Sequence, residues 1–359
     1  MKQSDWGDWR WQYSHSCRSL PNLQQLIELP DEALDAAQPV ADRYPLCVTP
    51  YYLSLAARPS ASDPIIRQIL PDPKELKDSD KNDPDPLGEQ YDSPLPGFIH
   101  RYPDRAVYCV TSDCAVHCRH CMRKRFWGAE GEVSPRYTPE KFDAVCAYIR
   151  AHTELREILL SGGDPLLLPD EQVAHILASL QAIPTIDFVR IGTRLPVVMP
   201  QRFTRDFCEL LGAYPPVWLA THFNHPQELT PAATLACENL LRAGIPVVNQ
   251  TVLMKGINDD PATLEALFRG LLRMRVKPYY LFHGDPVAGT EHFRTGLPRG
   301  LEIMNALSGR ISGLAEPAFA IDLPKGGGKI RLLPQRFCAY SRAGHPLFQR
   351  FSGDLQTYR

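Results

Sequence analysis

The sequence predicts an α/β fold built from repeated strand–helix units. From Ala106 onward, short β-rich apolar runs alternate with amphipathic stretches of about 12 to 15 residues. Several of those stretches open on Pro or Thr-Pro, residues that begin a helix well. The polar and glycine-rich motifs gather at the C-terminal ends of the apolar runs, the edge that carries the site in parallel α/β architectures.

Taken in order, residues 1–95 are expected to form a mainly helical and irregular extension, with Pro71, Pro73, Pro84, Pro86, Pro94 and Pro96 among dense acidic residues. Six strands follow, at Ala106 to Thr111, Glu157 to Ser161, Asp187 to Thr193, Val217 to Phe223, Pro246 to Val252 and Pro278 to His283, with a seventh apolar run at Phe319 to Leu323. Helices are predicted at 139–152, 169–183, 200–213, 230–243, 261–274 and 297–311. Each apolar run has the length of a strand, and each intervening stretch the length of a helix. Parallel strands so joined close into a full or partial barrel or lie as an open doubly wound sheet, and periodicity leaves both open. The expected division is an extension over 1–95, the strand–helix body over 96–315 and a C-terminal segment over 316–359.

A chain of 359 residues buries a sizeable core, as one large domain with an appendage or as two ordinary domains. Lysine and arginine total 39 against 41 acidic residues, so no basic surface points to nucleic acid or an anionic membrane. A small molecule is the expected partner. Met1 to Trp11 is polar with mixed charge and no run of about 18 apolar residues occurs, so neither a signal peptide nor a spanning helix is expected. The expected location is the cytoplasm. There, ten cysteines favour metal binding or catalysis over a disulfide framework. Three sit together; the other seven, Cys17, Cys47, Cys109, Cys146, Cys208, Cys237 and Cys338, read mostly as buried small hydrophobes.

After the first strand comes Asp113-Cys114-Ala115-Val116-His117-Cys118-Arg119-His120-Cys121. Thiolates are the usual ligands of iron–sulfur clusters, and Cys114, Cys118 and Cys121 in one tight loop can hold three irons of a cubane, leaving the fourth open for chemistry. The alternative is a structural zinc with His117 or His120 as fourth ligand, but such sites usually pair two knuckles and no second Cys-x2-Cys occurs. The triad resembles the signature of the radical S-adenosylmethionine superfamily. That resemblance implies a [4Fe-4S] cluster whose open iron is chelated by the amino and carboxylate groups of S-adenosylmethionine. It also implies that Ser161, Gly162, Gly163 and Asp164, ending the second strand, contact that cofactor, although the glycine pair alone would equally serve a tight turn. His222, Asn249 and Gln250, on later strand ends, are further candidates for S-adenosylmethionine or its adenosine.

Near the end stands Asp322-Leu323-Pro324-Lys325-Gly326-Gly327-Gly328-Lys329. Three glycines in a row cost backbone order, which is tolerated where a cofactor or another backbone comes close, though a flexible surface turn would use them too. A Schiff-base lysine needs a flexible amine held near an aldehyde. Ahead of the first strand, His100-Arg101-Tyr102-Pro103-Asp104-Arg105 offers two guanidinium forks and a phenol for anionic groups, or is simply a solvated basic turn. With the triad, these two motifs resemble the lysine 2,3-aminomutase family over nearly all of residues 95–335. Shared segments include 118–123, 221–225, 249–253, 292–295 and the Asp-Trp-x-Trp-Gln motif at 8–12.

The resemblance implies a three-quarter (βα)6 barrel and an isomerase that moves an amino group between the alpha and beta carbons of lysine. It implies pyridoxal phosphate on Lys329, contacted by Arg101, Tyr102 and Arg105. It gives Arg123 to the substrate carboxylate and Asp285 and Asp322 to the side-chain ammonium, an arrangement that favours a cation and penalises an anion once water is excluded. An arginine-specific relative would satisfy the same pair, and relatives acting on glutamate are expected to lack it. The relative that modifies a translation elongation factor is expected to lack both the glycine–lysine and the arginine–tyrosine motif. A rival of another class is a cluster-binding or redox-sensing protein without catalysis. Expected partners are an amino acid and an electron donor such as flavodoxin or ferredoxin, with a homo-oligomer left open. Family members also carry a cysteine-rich tail that binds zinc between subunits. Here Cys338 is the sole tail cysteine and Asp259-Asp260 stands in the region of a further one, so that zinc, and an oligomer built on it, are not implied. Pro286-Val287-Ala288 beside Asp285 also departs from the family pattern.

Overall fold

Nine strands form one sheet in the order β1 (Phe98–Tyr102), β2 (Arg105–Thr111), β3 (Glu157–Gly162), β4 (Phe188–Gly192), β5 (Val217–Thr221), β6 (Val247–Leu253), β7 (Lys277–His283), β8 (Ala318–Leu323) and β9 (Gly328–Leu332). The computed structural model describes residues 3–27, 30–58, 60–79, 83–127, 134–214, 216–333, 336–342, 344–350 and 353–357. Strands β2 through β8 run parallel, while β1 and β9 pair antiparallel at the two ends. Among the described residues β1 and β9 are not neighbours, so the barrel-like sheet stops short of closure.

Each of the six crossovers has one main helix: α1 (Pro139–Ala151), α2 (Asp170–Gln181), α3 (Arg205–Gly212), α4 (Pro231–Arg242), α5 (Pro261–Arg273) and α6 (Leu297–Leu307). Their starts are written locally. The side chains of Thr138, Thr204, Thr230 and Asp260 each accept a first-turn N–H, worth about 1 kcal/mol apiece. Burial then follows the strand period of two. On β6, Val247, Asn249, Thr251 and Leu253 are buried toward the helices, and Val248, Gln250 and Val252 face the other way. Ile158, Leu160, Val189, Ile191 and Leu219 from the strands meet Phe142, Ile149, Ile176, Leu240 and Phe268 from the helices in one continuous core.

The structure departs from the sequence reading in four places. The helix expected over 200–213 is split into a turn at Pro200–Arg202 and α3, because Thr204 turns its hydroxyl onto the Phe207 N–H as the cap of α3. Strand β5 ends at Thr221, two residues early. The Tyr102–Arg105 motif is a hairpin: Tyr102 and Arg105 pair across a tight turn at Pro103 and Asp104, which creates β1. The glycine run is likewise the tip of a hairpin, with Asp322 opposite Lys329 and Leu323 opposite Gly328. The sheet therefore runs on past residue 315, through β8 and β9. Beyond it, β10 (Phe337–Tyr340), β11 (Pro346–Gln349) and β12 (Leu355–Thr357) make a small antiparallel sheet. Short helices between Gln3 and Ser79 make up much of the N-terminal extension. No helix among the described residues is long and apolar enough to cross a membrane.

Candidate active site

One cavity of about 600 Å³ runs the depth of the sheet. Its lining reaches from residues at strand starts, such as Arg105 and Glu157, to residues at strand ends, such as Ser161 and His283. Cys114, Cys118 and Cys121 line it, and so do Lys329, Arg123, Asp285 and Asp322. Residues more than 200 positions apart in the chain thus share one cavity, the condition that a cluster loop and a cofactor lysine must meet to work together.

The cysteine loop leaves β2 and is held from below by the end of β3. Gly162 has φ of +125°, and a Cβ there would lie 2.3 Å from the Thr111 carbonyl oxygen; one on Gly163 would lie 2.2 Å from that of Asp113. Only glycine allows this approach. Gly163 N–H donates to the Thr111 carbonyl at 2.5 Å and Asp164 N–H to that of Asp113 at 2.7 Å. The pair therefore has a packing reason, and both glycines line the cavity. The Asp164 carboxylate is committed elsewhere: it accepts from Thr193 Oγ1 at 2.7 Å and from the Arg194 N–H at 2.9 Å. Burial pushes it up to about 6 against those bonds.

All ten cysteines are free thiols. Burial pushes the Cys114 and Cys121 thiols up, and their neighbouring thiols add to it. Three half-buried thiols crowded in one loop make a donor set that a bound cation would ionise. A single zinc asks its ligands to meet at one point, and among the described residues no group of three or more His, Cys, Asp or Glu does so. Of the histidines offered to zinc, His117 turns Nδ1 to the Pro45 carbonyl at 2.7 Å. His120 lines the cavity with its Nδ1 buried and without a hydrogen bond.

Sequence reasoning missed Arg194. Its Nη1 donates to Cys118 Sγ at 2.7 Å, and its Nη2 lies 2.6 Å from Gln68 Oε1 and 2.8 Å from Glu228 Oε1. The N-terminal extension thus reaches the cluster loop through a buried cation. No local motif announces this, since Gln68, Cys118, Arg194 and Glu228 come from four separate segments.

At the other side of the cavity, Lys329 Nζ donates to Asp322 Oδ2 at 2.5 Å and lies 4.0 Å from the Phe282 ring centre. Its backbone N–H donates to the Tyr102 hydroxyl at 2.9 Å, and the Arg105 guanidinium stacks 3.8 Å over the Tyr102 ring. Arg101 is tied to Asp92 Oδ2 and the Leu87 carbonyl, each at 2.7 Å. Arg331, on the same face of β9 as Lys329, donates to the Tyr280 hydroxyl at 3.0 Å, and Arg190 pairs with Glu157 at 2.5 Å. Both arginines line the cavity and were not foreseen. Asp285 is pushed up to about 7 by burial and by Asp322, with Lys329 and Arg294 opposing. Arg123 grips Glu89 through Nε at 3.0 Å and Nη2 at 2.7 Å, and gives Nη1 to Ser161 Oγ at 3.0 Å. Burial alone would raise the Glu89 carboxyl, but Arg123 and then Arg125 hold it down at about 2.

His222 and Gln250 line the cavity; Asn249 does not. Adjacent residues on a strand point to opposite faces, so Asn249 and Gln250 cannot both reach one ligand. Asn249 instead receives the Phe223 N–H at 2.7 Å and donates to the Phe223 carbonyl at 3.1 Å, fixing the turn that carries His222. Burial, then Arg194, lowers His222 to about 4.

A partial barrel of parallel strands with three thiols in the loop after the first of them defines a radical S-adenosylmethionine enzyme, and residues 108–267 match the model of the radical SAM superfamily. Residues 304–359 match the lysine-2,3-aminomutase model. The chain is 42% identical over 359 residues to the L-lysine 2,3-aminomutase of Fusobacterium nucleatum, covering 100% of this chain and 83% of that protein. It is 41% identical over 358 residues to the L-lysine 2,3-aminomutase of Clostridium subterminale, covering 100% and 85%. Identity to the glutamate 2,3-aminomutase of Clostridioides difficile is 43% over 334 residues, covering 93% and 78%. The chain belongs to the lysine 2,3-aminomutase family, isomerases that use a [4Fe-4S] cluster, S-adenosyl-L-methionine and pyridoxal phosphate. The cavity fits that set: three half-buried thiols at one side, one of them facing the Arg194 guanidinium, and an accessible amine among arginines and tyrosines at the other.

Proposed function

We propose that the protein interconverts L-alpha-lysine and beta-lysine. In this reading Cys114, Cys118 and Cys121 hold the cluster, Lys329 carries pyridoxal phosphate, Arg123 receives the substrate carboxylate, and Asp285 with Asp322 receives the side-chain ammonium. The observation that carries it is that all seven side chains line one cavity. Because the lysine and glutamate relatives are about equally similar overall, charge has to choose between the substrates. A glutamate side chain would meet Asp285 and Asp322 as a third anion, whereas an ammonium would be welcomed by both.

When bound, the cluster with S-adenosylmethionine supplies a carbon radical able to take hydrogen from an unactivated carbon, and pyridoxal phosphate supplies the conjugation that stabilises the unpaired electron. The protein's own part is positioning. Asp322 Oδ2, 2.5 Å from Lys329 Nζ, holds the amine in place on the cavity wall. Arg123 at one end and the two aspartates at the other hold the alpha and beta carbons still between them. Gly162 and Gly163, with Gln250 and His222, offer contacts for S-adenosylmethionine, and Arg105 with Tyr102 offers contacts for an anionic cofactor. The electron comes from a small carrier such as flavodoxin or ferredoxin. Seven thiols beyond the cluster ligands suit work in the reducing cytoplasm.

Anaerobic reconstitution with iron and sulfide, then lysine, S-adenosylmethionine, pyridoxal phosphate and a reductant, is expected to yield beta-lysine and 5'-deoxyadenosine. Glutamate, offered in competition, is expected to be a poor substrate. Absence of both products, or faster turnover of glutamate than of lysine, would refute the reading.

A further inference from the structure

The segment Asp83–Asp92, ahead of the first strand, touches each motif on the amine side of the cavity. The Asp83 carbonyl receives the Ala288 N–H at 3.1 Å, beside the loop that bears Asp285. The Pro86 and Leu87 carbonyls receive the N–H groups of Lys325 and Gly326 at 2.8 Å each, which pins the hairpin tip ahead of Lys329. Leu87 and Asp92 hold Arg101. In the middle, Glu89 is 5% exposed, lines the cavity and takes Arg123 at its Nε and Nη2.

Nε and Nη2 form one edge of the guanidinium, and Glu89 occupies that edge from the side. Ser161 takes one N–H of Nη1. Among the described residues this leaves one N–H on Nη1 and one on Nη2. A guanidinium has five donors in a rigid plane, so fixing one edge fixes the direction of the rest.

We propose that Glu89 is a positioning residue for the substrate: by gripping one edge of Arg123 it aims the remaining two N–H donors at the substrate carboxylate, and through the Asp83–Asp92 strap it sets that end against the amine end at Lys329 and Asp285. This rests on the assignment of the carboxylate to Arg123 made above. The competing role is plain charge neutralisation, since Arg125 also gives Nη2 to Glu89 at 2.7 Å. The two roles predict opposite signs. Removing a negative charge beside Arg123 and Arg125 makes the site more attractive to an anion, whereas releasing the fork makes it worse at holding a carboxylate.

The test compares L-lysine with 1,5-diaminopentane, which is lysine without its carboxylate, by titrating the pyridoxal absorbance of the reconstituted enzyme without reductant. Glu89→Gln is expected to weaken lysine by about tenfold and to leave the diamine within about twofold, the size of one charge-assisted contact. Iron content and covalently held pyridoxal should match the wild type. A gain in lysine affinity, no change in it, or an equal loss for both ligands overturns the proposal. Arg123→Met separates the two readings: if it leaves lysine affinity intact, the carboxylate assignment itself fails, whereas a loss there beside an unaffected E89Q removes only the role of Glu89. Should E89Q not fold, Ser161→Ala, which cuts only the Nη1 bond of the same fork, is expected to give a smaller loss confined to lysine, and a loss shared by the diamine overturns the proposal equally.

Discussion

Asp285→Asn probes the cation end of the site, because Asp285 titrates where an enzyme is assayed. Burial first, and Asp322 second, push its carboxyl up to about 7, so the free enzyme is partly protonated near neutrality. An ammonium is received by the ionised form. At about pH 6 a tenth of the groups is ionised and at about pH 8 nine-tenths, so affinity for lysine should gain about tenfold across that interval from Asp285 alone. The alpha amine of lysine adds its own pH dependence, but equally in wild type and variant. The quantity to measure is therefore the ratio of the two dissociation constants, by titrating the pyridoxal absorbance at each pH. D285N should bind lysine more weakly than wild type by a factor that grows about tenfold from about pH 6 to about pH 8. The same shift has a stability consequence. A carboxyl raised in the folded state contributes stability that is present below its unfolded value and lost as pH rises through about 7. D285N should therefore have the higher unfolding midpoint on the alkaline side. A ratio that stays flat across the interval would refute the claim that Asp285 ionises to receive the substrate.

Four further outcomes follow from the same geometry. Lys329→Ala should lose the pyridoxal that borohydride traps on the wild type while keeping full iron and sulfide; trapping at another lysine would remove Lys329 from its role. Cys118→Ala should lose the cluster, read by iron content and visible absorbance, and still trap pyridoxal; full iron in that variant would refute the ligand assignment. Asn249→Ala strips the buried Phe223 N–H of its acceptor and should cost roughly 2–3 kcal/mol of stability. Gln250→Ala should leave the unfolding midpoint near wild type while weakening S-adenosylmethionine, and the reverse pattern would show that the strand faces are assigned the wrong way round.

The repeat of strands and helices was legible because it is written in local signals. Thr138-Pro139, Thr230-Pro231 and Asp260-Pro261 announce three helix starts within a residue or two, and the cysteine spacing carries its chemistry in eight consecutive positions. What stayed hidden depends on register. Asn249 and Gln250 look alike as strand-end polar residues, but one turns to the helices and one to the cavity, and only the burial of their neighbours on β6 says which. The glycine run read as either a cofactor approach or a loose turn, yet the pairing of Asp322 with Lys329 makes it a hairpin tip.

The same pairing explains why Asp322 and Lys329 belong to one site at all. Seven positions apart in sequence, they meet because the hairpin folds the chain back onto itself at residues 324–327 and leaves two facing residues with side chains on one side of the sheet. Arg331 follows on that side two residues later and was overlooked for lack of a motif. Glu89 and Arg194 were harder still. Each is a buried charge whose meaning lies entirely in partners from distant segments, and burying such a charge is affordable only when those partners are in place. One acidic residue of several among prolines in an extension looks like part of a solvated loop. Packed against Arg123, Arg125 and the hairpin tip, it becomes the point through which the extension shapes the cavity.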